Sequence, residues 1–220
     1  MNNNITTIAV IIGVLALLGG GFYLGGREKV AAPLVNSADD HRSHHPEAGQ
    51  NASSASLLTL LDKPAPSFSF ADRDGKVYSS ENLRGKMALL FFNEGLMCYP
   101  SCWNQIVALS KDDRFKGGGL LALSVVVDSK EDWDQAINKM PELAKATVVF
   151  DTDAAVSRKF GVLSTPSSTH PGSLPGHTYI VIDAEGIVRY VFDDPNMGIR
   201  NDQLFTEASK LSTGDSGNAP

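Results

Sequence analysis

The apolar and polar positions of this chain change in pattern at about residue 57, and from there they predict alternating strands and helices. Two runs, 87–93 and 120–128, are almost wholly apolar, as is typical of strands buried on both faces of a sheet. Further extended segments are predicted at 63–70, 147–150, 178–183 and 187–191. Helices are predicted at 100–109, 129–140, 154–160 and 201–211. This order predicts an α/β sandwich with a central mixed sheet, closed by a C-terminal hairpin and helix.

The start of the chain has a different pattern. The first 26 residues carry no charged side chain, and residues 5–24 are apolar apart from two threonines and several glycines. About 20 such residues cross the hydrocarbon core of a bilayer as a helix. A cleaved signal peptide is the alternative, but the segment lacks a basic start and a small-residue cleavage site. We therefore expect residues 1–26 to be a retained transmembrane anchor of a single-pass protein of the cell membrane.

A polar segment separates the expected anchor from the globular part. Residues 27–56 are rich in Ala, Ser, Asn, Asp, Pro and His and have no hydrophobic period, which predicts a flexible linker. The globular domain is predicted at 57–213 and a disordered tail at 214–220. Arg27 and Lys29 follow the span and favour a cytoplasmic domain by the positive-inside rule. We nevertheless expect an extracytoplasmic domain, because the thiol chemistry argued below suits that side of a membrane.

Length and charge narrow the classes of function. A chain of 220 residues fits one ordinary domain with extensions. Its formal net charge of −6 does not provide the basic face that a nucleic acid requires, so no nucleic-acid partner is expected.

The only two cysteines of the chain, Cys98 and Cys102, follow a predicted buried strand and lie at the start of a segment predicted to be a helix. Two cysteines are too few for a disulfide-stapled scaffold, so a catalytic or metal-binding use is the better interpretation. A helix N-terminus favours the thiolate, which is both the nucleophile and the metal ligand. Helical positions four apart share one face, with about 5–6 Å between their Cβ atoms. The pair could therefore close a disulfide or chelate a soft metal ion, and its geometry leaves both open.

Four segments follow one another along the chain: Pro64-Ala65-Pro66-Ser67-Phe68, Leu83-Arg84-Gly85-Lys86, Phe91-Phe92-Asn93-Glu94-Gly95 with the cysteine pair, and residues 176–190. In this order they resemble the redoxin or AhpC/TSA type of thioredoxin-fold protein. The resemblance spans residues 57–213 and implies a thioredoxin-like sandwich. It further implies a membrane-tethered thiol–disulfide oxidoreductase with an antioxidant role and no required cofactor. Its partner would be a protein dithiol or disulfide, or a small peroxide.

The chain departs from the sequence patterns of thioredoxins and peroxiredoxins at three places. Thioredoxins space their cysteines by two residues, whereas three residues separate Cys98 from Cys102. Peroxiredoxins place a threonine three residues and a proline seven residues before the peroxidatic cysteine. Counted from Cys98, those positions hold Gly95 and Phe91, which argues against a peroxidase. His177 takes the position that corresponds to the cis-proline of thioredoxins.

Two site chemistries remain open for these residues. In the redox hypothesis, Cys98 is the exposed attacking thiolate, Cys102 resolves the mixed disulfide, and His177 lowers a thiol pKa or moves a proton. The wider cysteine spacing and the histidine are instead similar to Sco-type copper chaperones, which hold copper with two thiolates and one imidazole. That resemblance implies a trigonal Cu(I) site made by the same three residues. We expect the oxidoreductase and keep the copper chaperone as its alternative.

Other polar and aromatic residues near these motifs are expected to have structural roles. Glu94 is predicted in a solvated loop, and His170 in a long Ser/Pro/Gly loop. Asp193 and Asp194 are predicted to form a charged turn before the last helix. Trp103 is expected to pack beside the cysteine pair.

Overall fold

A computed structural model describes residues 55–117 and 119–212 of the chain. The predicted anchor at 1–26, nearly all of the predicted linker, and the predicted tail at 214–220 lie outside these residues. Within the described ranges, no helix combines the length and the apolar character needed to cross a bilayer.

In the described part of the chain, seven strands form one mixed sheet. They are β1 Ser69–Asp72, β2 Val77–Ser79, β3 Met87–Phe92, β4 Leu120–Val126, β5 Val148–Phe150, β6 Thr178–Ile182 and β7 Val188–Asp193. Their spatial order is β2-β1-β5-β4-β3-β6-β7. The three central neighbours β5, β4 and β3 are parallel, and the remaining pairs are antiparallel. The predicted α/β sandwich with a mixed sheet is confirmed.

Helices connect and follow these strands. The α-helices are α1 Ser101–Lys111, α2 Lys130–Lys139, α3 Ala155–Lys159 and α4 Asn201–Ser212. Shorter 3-10 turns cover Gly95–Cys98, Asp113–Phe115, Pro141–Lys145 and Val162–Ser164. The start of α2 is the one predicted, because the Ser129 hydroxyl oxygen accepts the Asp132 backbone N–H at 3.1 Å and caps the helix.

The core lies on both faces of the sheet and centres on β3. Successive side chains of a strand point to opposite faces, so Leu90 and Phe92 pack in one layer while Leu89 and Phe91 pack in the other. Helices α1, α2 and α4 cover the second layer with Ile106, Trp133 and Leu204, and α3 covers the first with Val156. Burial on both faces explains why this strand is a continuous apolar run in the sequence.

The strand bounds differ from the predicted ones at several places, β2 was not predicted, and two of these differences bear on the site. β4 ends at Val126, two residues before the predicted end, so that Asp128 lies in the loop beyond the sheet. β7 continues to Asp193 because its pairing with β6 extends to the Thr178–Asp193 pair. The first difference places the Asp128 carboxylate next to the turn after β3. The second places the Asp193 carboxylate next to Thr178, the first residue of β6.

Candidate disulfide site

The chain turns sharply after β3, just before the first cysteine. The buried Asn93 side chain accepts the Gly95 N–H at 3.0 Å and donates to backbone carbonyls of β3 and β4. Gly95 has a φ of +56°, and a Cβ atom there would overlap with the Asp128 carboxylate. That carboxylate accepts the Leu96 N–H at 3.1 Å. Only glycine combines this left-handed conformation with so close an approach.

The two cysteines form a disulfide across a break between two helical segments. Cys98 ends the 3-10 turn, and Cys102 is the second residue of α1. Their sulfur atoms are bonded at 2.01 Å and their Cα atoms lie 5.3 Å apart. The spacing of two positions one turn apart on a single helix does not apply here, because Cys98 lies outside α1. Pro100, which follows a cis peptide bond from Tyr99, has no N–H with which to continue the first turn.

The prediction that Cys98 is exposed is also wrong. Cys98 is only 6% exposed, and Cys102 is 0% exposed. The Met197 sulfur lies 3.8 Å from the Cys98 sulfur and covers it, although the two residues are 99 positions apart in the chain. Cys98 nevertheless remains the more exposed residue of the pair.

His177 lies directly before β6, and its ring approaches the disulfide at Cys102. Its Nδ1 atom is 3.4 Å from the Cys102 sulfur, and its Nε2 atom is 2.7 Å from the Tyr179 hydroxyl. The ring is 1% exposed. Burial lowers the pKa of His177 to about 4, against smaller opposite effects of Asp194 and the Gly198 backbone, so the imidazole is neutral at neutral pH.

The structure thus brings the three predicted site residues together. The two cysteine sulfurs and one His177 ring nitrogen all lie within 4.8 Å of one another, and all three residues are buried. Trp103 also packs at this place, as predicted, and its Nε1–H donates to the Gly95 carbonyl at 3.0 Å. Reduced, such a group of atoms can exchange disulfides or hold one soft metal ion.

A buried aspartate organises the loop that carries Met197. Asp194 accepts two backbone N–H groups of this loop and pairs with the Arg200 guanidinium at 2.6 Å. Burial alone would raise the pKa of Asp194, but hydrogen bonds from Arg200 and the backbone hold it below its usual range. The prediction of an ordinary charged turn is therefore wrong for Asp194, which is buried and supports the cover over Cys98.

Glu94 holds a second loop against the turn that carries the first cysteine. The carboxylate is 2% exposed and accepts the Thr169 N–H and hydroxyl at 2.5 Å and the His170 N–H at 3.0 Å. The predicted solvated carboxylate is wrong, because the Ser/Pro/Gly loop folds over it. His170 remains in that loop, with its side chain 42% exposed and Nδ1 3.3 Å from Glu94.

Three residues of this site were missed by the sequence reasoning. Asp128 carried a usable signal, since it follows the strand parallel to β3 and the carboxyl ends of parallel strands meet at one edge. Tyr179 carried a weaker signal, because it lies two residues after His177 on the same face of a strand. Nothing in the local pattern around Met197 indicated its contact with Cys98.

The fold and the site define a class of protein. A mixed sheet between helices, with a cysteine pair at the junction of a central strand and a helix, is a thioredoxin-like arrangement. Residues 61–191 match the AhpC/TSA family, and the chain belongs to this family.

Plant proteins are among the relatives that match by sequence. Peroxiredoxin Q of Triticum aestivum chloroplasts is 28% identical over 130 residues, which are 59% of this chain and 57% of that protein. Chloroplastic peroxiredoxin Q of Sedum lineare is also 28% identical over 130 residues, covering 59% of this chain and 66% of the relative. The chain therefore spans less than two thirds of the length of these relatives.

Solved structures with a similar fold include one parasite protein and one bacterial protein. The mitochondrial 2-Cys peroxiredoxin of Plasmodium falciparum has a TM-score of 0.60 at 20% identity and covers 73% of this chain and 99% of that one. AhpC of Enterococcus faecalis has a TM-score of 0.60 at 16% identity, with 73% and 98% covered. At these identities, the likeness establishes the thioredoxin-like fold.

Asp128 gives a testable pH dependence. Its burial raises its pKa from 3.8 to about 6, so the folded protein binds its proton more readily than the unfolded chain. The resulting penalty applies in full above about pH 6 and is relieved as the pH falls towards about 4. Asp128→Asn is expected to unfold later than the wild type in urea at about pH 8, by on the order of 1 kcal/mol after screening.

This advantage of Asp128→Asn should shrink as the pH is lowered. His177 titrates with the opposite sign, because its lowered pKa removes stability as the pH falls from about 6.5 to about 4, but it is common to both proteins and cancels in their difference. Asp74→Asn, in an exposed turn, is the matched control for the loss of one surface carboxylate. If the difference in the free energy of unfolding between Asp128→Asn and the wild type did not change with pH, a raised pKa of Asp128 would be contradicted.

Proposed function

We propose that this member of the AhpC/TSA family is a thiol–disulfide oxidoreductase that cycles between the Cys98–Cys102 disulfide and the dithiol. One observation carries the proposal: the disulfide lies at the strand–helix junction with the His177 Nδ1 atom 3.4 Å from the Cys102 sulfur. A ring nitrogen at that distance is within reach of the charge that appears on Cys102 when the disulfide opens.

In the reductive half of the cycle, a protein dithiol supplies the electrons. A thiolate of the partner attacks the Cys98 sulfur, the bond to Cys102 breaks, and its electron pair moves to the Cys102 sulfur. The second partner thiolate then attacks the mixed disulfide and releases Cys98. In sum, two electrons and two protons pass from the partner, which leaves as a disulfide, to the cysteine pair.

In the oxidative half, either a substrate disulfide or a small peroxide accepts the electrons. With a peroxide, the Cys98 thiolate attacks one oxygen, water or an alcohol leaves, and the resulting sulfenic acid condenses with the Cys102 thiol to give the disulfide and water. The peroxiredoxin Q relatives support this antioxidant reaction. Gly95 and Phe91 replace the threonine and proline of the peroxidase motif, so we expect disulfide exchange to be the faster reaction.

Two serine variants test the cycle. Cys98→Ser removes the attacked sulfur and is expected to lower reduction of insulin or a model disulfide to the rate without protein. Cys102→Ser keeps Cys98 but removes the resolving thiol, so Cys98 should attack an added small disulfide, release one half of it as a thiolate and remain as a covalent mixed disulfide with the other half. Both are measured by a turbidity or thiol-release assay and by intact-protein mass spectrometry.

The wild type also has to interconvert between dithiol and disulfide with a dithiol reductant and with peroxide. A wild-type protein no faster than Cys98→Ser in all of these assays would overturn the oxidoreductase.

A second candidate function, Sco-like copper binding, is supported by the approach of the two sulfurs and the His177 nitrogen to within 4.8 Å. Two thiolates and an imidazole are a donor set that favours Cu(I) once the disulfide is reduced. In this function copper is the cargo, and the chain carries out no turnover.

Copper binding is tested by titrating the anaerobically reduced protein with Cu(I) against a competing chelator. His177→Ala should weaken the affinity at least about tenfold, because one of three ligands is lost. His170→Ala, whose side chain is half exposed and paired with Glu94, is the control and should leave the affinity unchanged. Equal affinities of wild type and His177→Ala would remove the copper site.

We also propose that residues 1–26 anchor the chain in the cell membrane with the domain on the extracytoplasmic side. The proposal is supported by the uncharged apolar stretch at 5–24. The full chain is expected to stay with the membrane after alkaline carbonate extraction and to be digested by protease added to intact spheroplasts. Release by carbonate, or protection from the protease, would contradict the anchor or its orientation respectively.

A further inference from the structure

Tyr179 is buried behind the histidine of the disulfide site. Tyr179 lies on β6, and His177 directly precedes this strand. Because the two residues are two positions apart in extended backbone, their side chains lie on the same face of the sheet. The tyrosine ring is stacked on Phe91 with centroids 4.7 Å apart and on Phe192 at 6.1 Å. These contacts fix the ring, and they place its hydroxyl 2.7 Å from the His177 Nε2 atom.

This hydrogen bond decides which ring nitrogen of His177 carries the hydrogen. A neutral imidazole has one N–H donor and one acceptor nitrogen, and a tyrosine hydroxyl has one hydrogen to donate. If Nε2 carried the hydrogen, it would donate to the Tyr179 oxygen, and the phenolic hydrogen would have no other acceptor among the described residues. If Nδ1 carries the hydrogen, Tyr179 donates to Nε2 and Nδ1–H is directed at the Cys102 sulfur. The second arrangement satisfies both buried hydrogens, and unpaired buried donors are costly.

We propose that Tyr179 is a positioning residue that holds His177 in the Nδ1–H tautomer and thereby directs a hydrogen-bond donor at the sulfur of Cys102. The inference rests on the proposed disulfide exchange and adds to it the residue that sets the direction of this hydrogen bond. When a partner thiolate attacks Cys98, the electron pair of the broken S–S bond moves to Cys102, and Nδ1–H stabilises the thiolate formed there. His177 keeps its hydrogen in this step, and Cys102 is protonated later from the proton released by the partner dithiol.

The surroundings keep both partners of the hydrogen bond in the required protonation state. Burial lowers the pKa of His177 to about 4, and it raises the pKa of the Tyr179 hydroxyl above its usual range. The charged groups that act on both rings are Asp194 and Arg200, which pair with each other at 2.6 Å and have opposite effects. Burial of both rings favours the uncharged imidazole and the protonated phenol.

The tautomer is measured directly on the wild-type protein. Long-range proton–nitrogen NMR spectra of the oxidised full chain distinguish a protonated Nδ1 from a protonated Nε2 through the two nitrogen shifts of His177. We expect the protonated-Nδ1 pattern. A protonated Nε2 would overturn the inference, and this measurement requires no variant to fold.

The effect on the cysteine is measured in Tyr179→Phe, which keeps the stacked ring and removes only the hydroxyl. In a Cys98→Ser background, Cys102 is the single thiol, and its pKa is read from the ultraviolet absorbance of the thiolate. We expect Tyr179→Phe to raise this pKa by about one unit, because the donor is no longer held towards the sulfur. Tyr190→Phe is the matched control, since it removes a hydroxyl on β7 that accepts from Gln203 at 2.9 Å.

Equal Cys102 pKa values in Tyr179→Phe and Tyr190→Phe would overturn the positioning role. The outcome is separable from that of the proposed function. A wild type without disulfide exchange would overturn the oxidoreductase, while the tautomer and the thiol pKa would still decide whether Tyr179 orients His177.

Discussion

The position of the redox pair depends on the close approach of the backbone at Gly95 to the Asp128 carboxylate. Parallel pairing of β3 with β4 brings the two strand ends side by side, and the carboxylate then accepts the Leu96 N–H. The glycine permits this approach because it has no Cβ to collide with the carboxylate. The charged form of Asp128 is partly desolvated there, which lowers the free energy of unfolding. The same carboxylate fixes the turn before Cys98.

Around this turn, burial rather than charge sets the chemistry of the site. His177 comes from the start of β6 and Met197 from the loop after β7, and they meet the disulfide from two sides. The imidazole is buried deeply enough to be neutral, so it cannot stabilise a thiolate by a positive charge. The imidazole can instead stabilise a Cys102 thiolate through a hydrogen bond from its Nδ1–H group, and the strength of that bond depends on how the ring is oriented. For this reason the hydrogen bond from Tyr179 matters more here than the pKa of the histidine.

The sequence predicts the parts of this structure that follow local rules. Apolar runs located the central strands, Ser129 located the start of α2, and the cysteines with His177 gave a site whose atoms the fold does bring together. It failed where contacts join distant segments. Glu94 looks like a loop carboxylate until the loop around Thr169 closes over it, and Cys98 looks exposed until Met197 covers it. The local periodicity of the sequence does not predict such contacts, because they depend on how the strands are arranged in the sheet.

The two chemistries open to this site exclude each other within one molecule at one time. In the disulfide, the two cysteine sulfurs are covalently bonded to each other, so the thiolate ligands that Cu(I) prefers are not present. Metal binding therefore requires prior reduction, by the same dithiol chemistry that would drive the proposed exchange cycle. A bound Cu(I) ion would in turn occupy Cys98 and Cys102 and take the lone pair of a His177 nitrogen. Because Nδ1 faces the sulfurs, metal binding requires that atom to be free of hydrogen, whereas exchange uses it protonated. The tautomer held by Tyr179 thus favours disulfide exchange over copper binding at this site.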